Sequence, residues 1–158
     1  MPPILRSLTD SPYHHRIDEV IEAARAVRLR AWARYSRFKV GAALLTYQGQ
    51  EIFVGTNVES ADYDVTHAEE SAISAFVTSG TMMVRPPVLI VAVGSVEPHM
   101  KEAPFVMPCG KCREKIFEWI RGDSQSDVDV IVPEPTTGKP MLCSIRELLP
   151  MPFFDASL

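Results

Sequence analysis

Val88-Leu89-Ile90-Val91-Ala92-Val93 is an unbroken apolar run, rich in β-branched side chains. It reads as a strand covered on both faces, because a half-exposed strand would show a polar residue at every second position. A strand covered twice needs helices on both sides of its sheet. On its N-terminal side, His67 to Thr78 is rich in Ala, Glu and Ser and spaces Ile73 and Phe76 for burial. Gly80 follows, in the position where helices commonly end. On its C-terminal side, Cys109 to Arg121 sets Cys112, Ile116, Phe117 and Ile120 along one side of another helix.

The remaining segments complete the pattern. Apolar residues at Ile17, Val20, Ile21, Ala24, Val27, Ala31 and Trp32 follow the three-four spacing of one helical face and predict an amphipathic helix over 16–35. Asp10, Ser11 and Pro12 offer capping chemistry near its start. Val40–Thr46 and Glu51–Val58 read as an antiparallel hairpin turning at Tyr47-Gln48-Gly49-Gln50, and Glu59 to Thr66 as a loop. Asp127–Val132 predicts a fourth strand, Met141–Ser144 a fifth after the turn at Thr136-Thr137-Gly138-Lys139, and Ile145–Leu149 a last helical turn before Pro150. The expected fold class is α/β, with a mixed five-stranded sheet between helical layers in one domain spanning 1–158. Trp32 and Trp119 fall on apolar helical faces and are expected in the core. No repeat or linker interrupts the chain.

Composition narrows the function. A chain of 158 residues, 46% hydrophobic, is long enough to bury roughly 70% of its unfolded surface. No stretch approaches the roughly 18 to 20 apolar residues that span a bilayer, and MPPILRSLTD lacks the apolar run and cleavage site of a secretory signal. A cytoplasmic protein is expected, without membrane partners. The net charge of −4 argues against a nucleic-acid binder, which needs a basic surface to neutralise phosphates. A small, weakly charged substrate fits better.

Two separated motifs carry the chemistry: His67-Ala68-Glu69 and Pro108-Cys109-Gly110-Lys111-Cys112, each opening a predicted helix. On a first helical turn the sulfurs of Cys109 and Cys112 face the same way and can bind one ion. With His67, which lies 42 residues before Cys109, they make a set of sulfur and nitrogen donors suited to Zn²⁺. Three donors leave a tetrahedral position open for water, the mark of a catalytic site. Helix N-termini also stabilise thiolates, placing both cysteines where deprotonation is easiest. Glu69, beside the metal without binding it, is placed to move a proton between water and substrate.

Two other readings of the cysteines stand beside this one. A closed zinc knuckle would take Cys143 as a fourth ligand and leave Glu69 on a solvated helix face. A redox Cys-x-x-Cys would open its helix in the same way but leaves His67-Ala68-Glu69 unexplained.

The H-x-E and P-C-x-x-C pair is the signature of zinc deaminases. From about Ile17 to Phe153 the chain resembles the cytidine deaminase family, above all its short, homotetrameric branch. Tyr35-Ser36-Arg37-Phe38-Lys39-Val40-Gly41-Ala42-Ala43-Leu44 is similar to the family's segment around its first strand, and Gly55-Thr56-Asn57-Val58-Glu59 to its ribose-binding strand end. The resemblance implies hydrolytic deamination of cytidine or deoxycytidine with zinc as cofactor. Phe38 would then pack on the pyrimidine, and Asn57 and Glu59 would hydrogen-bond the ribose. Backbone around Ala68 would bind the pyrimidine carbonyl, and the carbonyl of Cys109 would lie near the departing ammonia. Phe153, in the tail Leu148-Leu149-Pro150-Met151-Pro152-Phe153, would reach a neighbouring subunit's site, so a homo-oligomer is expected, a tetramer ahead of a dimer.

The chain departs from the short branch at two places. That branch usually has cysteine at the position of His67 and arginine after the catalytic glutamate, where this chain has Glu70. Two thiolates and a neutral imidazole already balance Zn²⁺, so a compensating arginine is no longer required. The loop Ser95 to Met107 looks a few residues longer than usual, and His99 and Met107 could shape access to the metal or belong to solvated surface. His14 and His15 are expected on the surface. Ile145 to Pro150 also resembles the tail of blasticidin-type antibiotic deaminases, which leaves an aminonucleoside antibiotic or a modified cytidine as the rival substrate. A zinc-binding interaction module without activity is the rival of a different class.

Overall fold

The computed structural model describes residues 3–81, 86–96, 104–120 and 125–153. Along the chain run α1 (Ile17–Arg28), β1 (Phe38–Thr46), β2 (Ile52–Thr56), β3 (Val58–Glu59), β4 (Val65–Thr66), α2 (Ala68–Thr78), β5 (Pro87–Val96), α3 (Gly110–Phe117), β6 (Asp129–Pro133), β7 (Pro140–Ser144) and α4 (Ile145–Leu148). Five strands form one sheet in the order β2-β1-β5-β6-β7, and β3 and β4 form a separate two-stranded ribbon. The sheet is mixed: β5 runs antiparallel to β1 and parallel to β6.

The apolar run lies in β5, the middle strand, and its side chains alternate between two cores. Ile90 and Ala92 join Phe76, Ile116 and Val130 on the face covered by α2, α3 and α4. Leu89, Val91 and Val93 join Ile17, Val20 and Ala24 of α1 on the other. Each of the larger side chains here, once buried, contributes about 1.5–3 kcal/mol. The expected α/β/α layering follows from this two-sided burial.

Two glycines let the helices approach the sheet closely. A Cβ at Gly41 would lie 2.1 Å from the Ala24 carbonyl oxygen, and one at Gly55 would lie 2.2 Å from the Ala72 nitrogen. Helix α1 thus presses on β1 and α2 on β2 more closely than a side chain would permit. Ser71 Oγ, donating to the Thr56 carbonyl at 2.8 Å, ties α2 to β2 as well.

The structure corrects the first helix. It ends at Arg28 rather than Tyr35, because the next residues are drawn into extended pairing: Trp32 N–H donates to the Asn57 carbonyl at 3.2 Å and Glu59 N–H to the Trp32 carbonyl at 2.9 Å. Trp32 is therefore 58% exposed and not a core residue, whereas Trp119 packs its ring 5.1 Å from Phe76. His14 and His15 are exposed, as expected. The segment expected as a loop contains β4, which pairs with β3, and the strand expected over 51–58 breaks at Asn57. Its hairpin partner is antiparallel as read, with Leu45 opposite Ile52 and Gly41 opposite Thr56. The third helix passes into a 3-10 turn at Glu118–Ile120, and Arg121 lies outside the described residues.

Beyond Val91, β6 no longer accompanies β5. Pro104 to Val106 takes its place: Gly94 N–H donates to the Pro104 carbonyl at 2.9 Å and Val106 N–H to the Ala92 carbonyl at 3.1 Å. This short annealed segment delivers the chain to Met107, Pro108 and Cys109. Pro98 and His99, within the loop singled out above, lie outside the described residues.

Candidate active site

His67 is the N-cap of α2 and Cys109 the N-cap of α3, both in extended conformation (ψ 156° and 171°), with Cys112 in the first turn of α3. The Nδ1 of His67 lies 3.4 Å from Cys109 Sγ and 3.3 Å from Cys112 Sγ. The three donor atoms all fall within 4.8 Å of one another. A tetrahedral ion with Zn–S of about 2.3 Å and Zn–N of about 2.0–2.1 Å separates neighbouring donors by roughly 3.6 Å, so the set fits zinc. Cys112 is fully buried, His67 half-buried and Cys109 exposed toward the open side. Cys143 does not join them: its thiol, buried under β7, faces the Ser144 carbonyl and Glu147 Oε2 at 3.6 and 3.7 Å. The closed four-ligand knuckle is thereby ruled out.

Beside these donors opens a cavity of about 380 Å³. Its walls include His67, Ala68, Glu69 and Cys109 on the helix side and Phe38, Val40, Asn57 and Glu59 on the strand side. Phe38 and Val40 pair with Val96 and Gly94, so the cavity lies at the carboxyl end of β5. Ala68 contributes the first turn of α2, where backbone N–H groups lack intrahelical acceptors. Glu69 is 5% exposed, and burial pushes its carboxyl up from the ordinary carboxylate value against opposing hydrogen bonds from its own backbone and Cys112. A carboxyl raised by burial holds a proton more readily than a solvated one, as a group that takes and returns a proton must.

Asn57 and Glu59 face the same cavity, as two residues two apart on extended chain should. Neither is a solvated strand end. Asn57 Oδ1 accepts from Val40 N–H at 2.8 Å, and its Nδ2 donates to the Phe38 carbonyl at 2.9 Å, so the side chain clamps the start of β1. Glu59 accepts from Tyr35 N–H at 2.6 Å, from Ser36 N–H at 3.2 Å and from the Ser36 hydroxyl. Led by that hydroxyl, these donors hold its carboxyl below the ordinary value. Each keeps lone-pair or N–H capacity toward the cavity.

Phe38 is half-buried on the cavity wall, with Val106 and Met107 completing the rim. Phe153 stands apart: it is 66% exposed, and its N–H donates to Glu114 Oε2 at 3.0 Å. It therefore does not cover this chain's own core.

Sequence reasoning gave no structural role to three residues that build the site. Ser36 orients Glu59, and Arg113 ties the loop before Cys109 to α4 by donating to the Pro108 carbonyl at 2.8 Å and the Leu148 carbonyl at 3.1 Å. Glu70 accepts the His67 N–H at 2.8 Å. The spacing of Glu70 three residues after the helix N-cap is the one local signal that could have found it.

Two helix N-termini converging on an incomplete donor set, with a buried acid and a cavity alongside, make this a zinc-dependent hydrolase centre within an α/β/α sandwich. Residues 15–122 match the cytidine and deoxycytidylate deaminase zinc-binding region. A cytidine deaminase of Sporosarcina psychrophila is 34% identical over 107 residues, 67% of this chain and 71% of that protein. The crystal structure of a cytidine deaminase from Burkholderia pseudomallei is similar at 35% identity and a TM-score of 0.67, covering 86% of this chain and 98% of that one. That from Mycobacterium leprae is similar at 29% identity and a TM-score of 0.67, with 85% and 98% covered. The chain belongs to the cytidine and deoxycytidylate deaminase family.

Proposed function

We propose that this protein hydrolyses the exocyclic C–N bond of cytidine or deoxycytidine, releasing ammonia and leaving uridine or deoxyuridine. The observation that carries the reading is the buried carboxyl of Glu69 at the wall of the cavity that the His67-Cys109-Cys112 set borders. Zinc, when bound there, supplies a nucleophile at neutral pH by lowering the pKa of water to about 7. Glu69 would carry both protons of the attacking water, one to ring N3 as oxygen adds to C4 and one to the amino group as the C4–N bond breaks, so that uridine and ammonia are left. Phe38 packs on the pyrimidine, N–H groups at Ala68 hold its carbonyl, and Asn57 and Glu59 read the ribose hydroxyl. The carbonyl of Cys109 lies toward the departing ammonia.

The same reading includes a cytoplasmic homo-oligomer of single-domain subunits, a tetramer ahead of a dimer, serving pyrimidine salvage. Exposure of Phe153 supports its docking on a neighbouring subunit. The cytidine deaminases among the relatives favour cytidine over an aminonucleoside antibiotic. Ammonia release from cytidine by the zinc-loaded protein, with blasticidin S in parallel and Glu69→Ala as control, tests the reading. Release from cytidine that vanishes in Glu69→Ala, with zinc retained, is the expected result. Release from the antibiotic alone would reassign the substrate, and silence on both would leave a zinc-binding module.

A further inference from the structure

Glu70 is a second buried acid in the first turn of α2, 8% exposed, to which the deamination chemistry assigns no step. Its Oε2 accepts the His67 N–H at 2.8 Å, and its Oε1 lies 2.8 Å from Lys115 Nζ and 3.1 Å from Lys111 Nζ. His67 is the metal donor that opens α2. Lys111 stands between the two cysteine donors of α3, and Lys115 follows one turn later. The two oxygens of one carboxylate therefore grip the two chain segments that supply all three metal donors.

We propose that Glu70 is a positioning residue for the metal, holding the N-termini of α2 and α3 at the separation at which His67, Cys109 and Cys112 converge on one ion. The inference rests on those three residues being the zinc ligands. The His67 N–H on one oxygen and the two ammonium groups on the other give both oxygens of this buried carboxylate donors from the segments they join. Charge-assisted hydrogen bonds to a buried carboxylate are stronger and more directional than exposed ion pairs. A metal set must be held to within about 0.5 Å by its supports, and losing such a support typically costs about 10–100-fold in metal affinity. The lysines also bring positive charge to the helix that carries two thiolates.

Glu70→Gln separates this role from simple helix capping. The amide oxygen can still accept the His67 N–H, but the remaining NH₂ offers nothing to two ammonium groups. Lys111→Met with Lys115→Met breaks the same bridge from the partly exposed side, where the lysine side chains are 51% and 47% accessible and the fold is not at risk. Zinc release from the full-length protein to a chromogenic chelator, and the visible bands of the cobalt-substituted protein, are the readouts. Both variants should lose zinc at least about tenfold faster than wild type, shift the cobalt bands and combine non-additively. Wild-type release rates and bands in the lysine double variant would overturn the proposal even if Glu70→Gln proved unstable. Cobalt bands without thiolate character in the wild type would instead overturn the ligand assignment beneath it.

Discussion

The ring of Phe38 lies directly over Gly94: a Cβ at position 94 would stand 2.6 Å from Phe38 Cζ and 2.9 Å from Val106 Cγ1. Both neighbours are walls of the cavity, so a hydrogen atom at this point of β5 is what allows the cavity its shape. Gly94→Ala must push the ring and Val106 aside, at a cost of about 1–3 kcal/mol for overpacking. Because the displaced atoms belong to the binding wall and not to the proton-transfer group, KM for cytidine should rise several-fold while kcat changes less. Steady-state kinetics alongside urea denaturation would check both.

Cys112 and Cys143 are both buried, yet only the first belongs to the donor set. Cys112→Ser should lose stoichiometric zinc and turnover together, while Cys143→Ser should keep the full zinc content with a small change in stability. Metal analysis after dialysis decides the matter. Zinc loss in the Cys143 variant would restore the four-ligand reading.

Chelation should act on stability as well as on turnover. An ion that binds the folded chain alone stabilises it by RT ln(1 + [L]/Kd), about 2.7 kcal/mol at a hundredfold excess over Kd. Removing zinc should therefore lower the Tm, and the fall should shrink in Cys112→Ser, which has no ion to lose.

Glu59 couples the strand-side wall of the cavity to pH. Its carboxyl is held below the ordinary 4.5, chiefly by the Ser36 hydroxyl and then by Tyr35 N–H. A depressed carboxyl contributes stability that is fully present above its unfolded value and is lost as pH falls through its folded value. Ser36→Ala removes the largest of these donors. Wild type and variant should differ in stability at pH 7 and converge as the pH falls through the depressed folded value of Glu59. Denaturation curves at pH 7 and pH 3 would reveal a parallel offset instead if Ser36 acted through packing alone.

Gly55→Ala should be harsher than Gly94→Ala. Here the added carbon meets backbone, 2.2 Å from Ala72 N and 2.5 Å from the Ala68 carbonyl oxygen, and α2 itself must move. A loss of about 3 kcal/mol or more is expected, together with reduced zinc occupancy, because His67 moves with the helix. Thermal unfolding and metal content would be measured on the same preparation.

The features legible in the sequence are those whose cause is local. The burial of β5 shows in its unbroken run, the start of α2 in the residues around His67, and the metal set in the spacing of Cys109 and Cys112. What escaped depends on partners far along the chain. Nothing near Trp32 announces that Val58 will pair beside it, so a helical spacing that continues past Arg28 extends the helix too far. The family resemblance gives Asn57 a ribose role, but its clamp on Phe38 and Val40 needs β1 in place beside it. Glu70 reads as a departure from a family pattern until Lys111 and Lys115 arrive from another helix.

The annealing of Pro104–Val106 onto the upper part of β5 separates two kinds of evolutionary change. Hydrogen bonds from Gly94 and Val106 secure the chain on the metal side of the preceding loop. Insertions or deletions between Val96 and Pro104 can therefore be absorbed before they reach Cys109. Relatives can vary the length of that segment while Cys109 keeps its place.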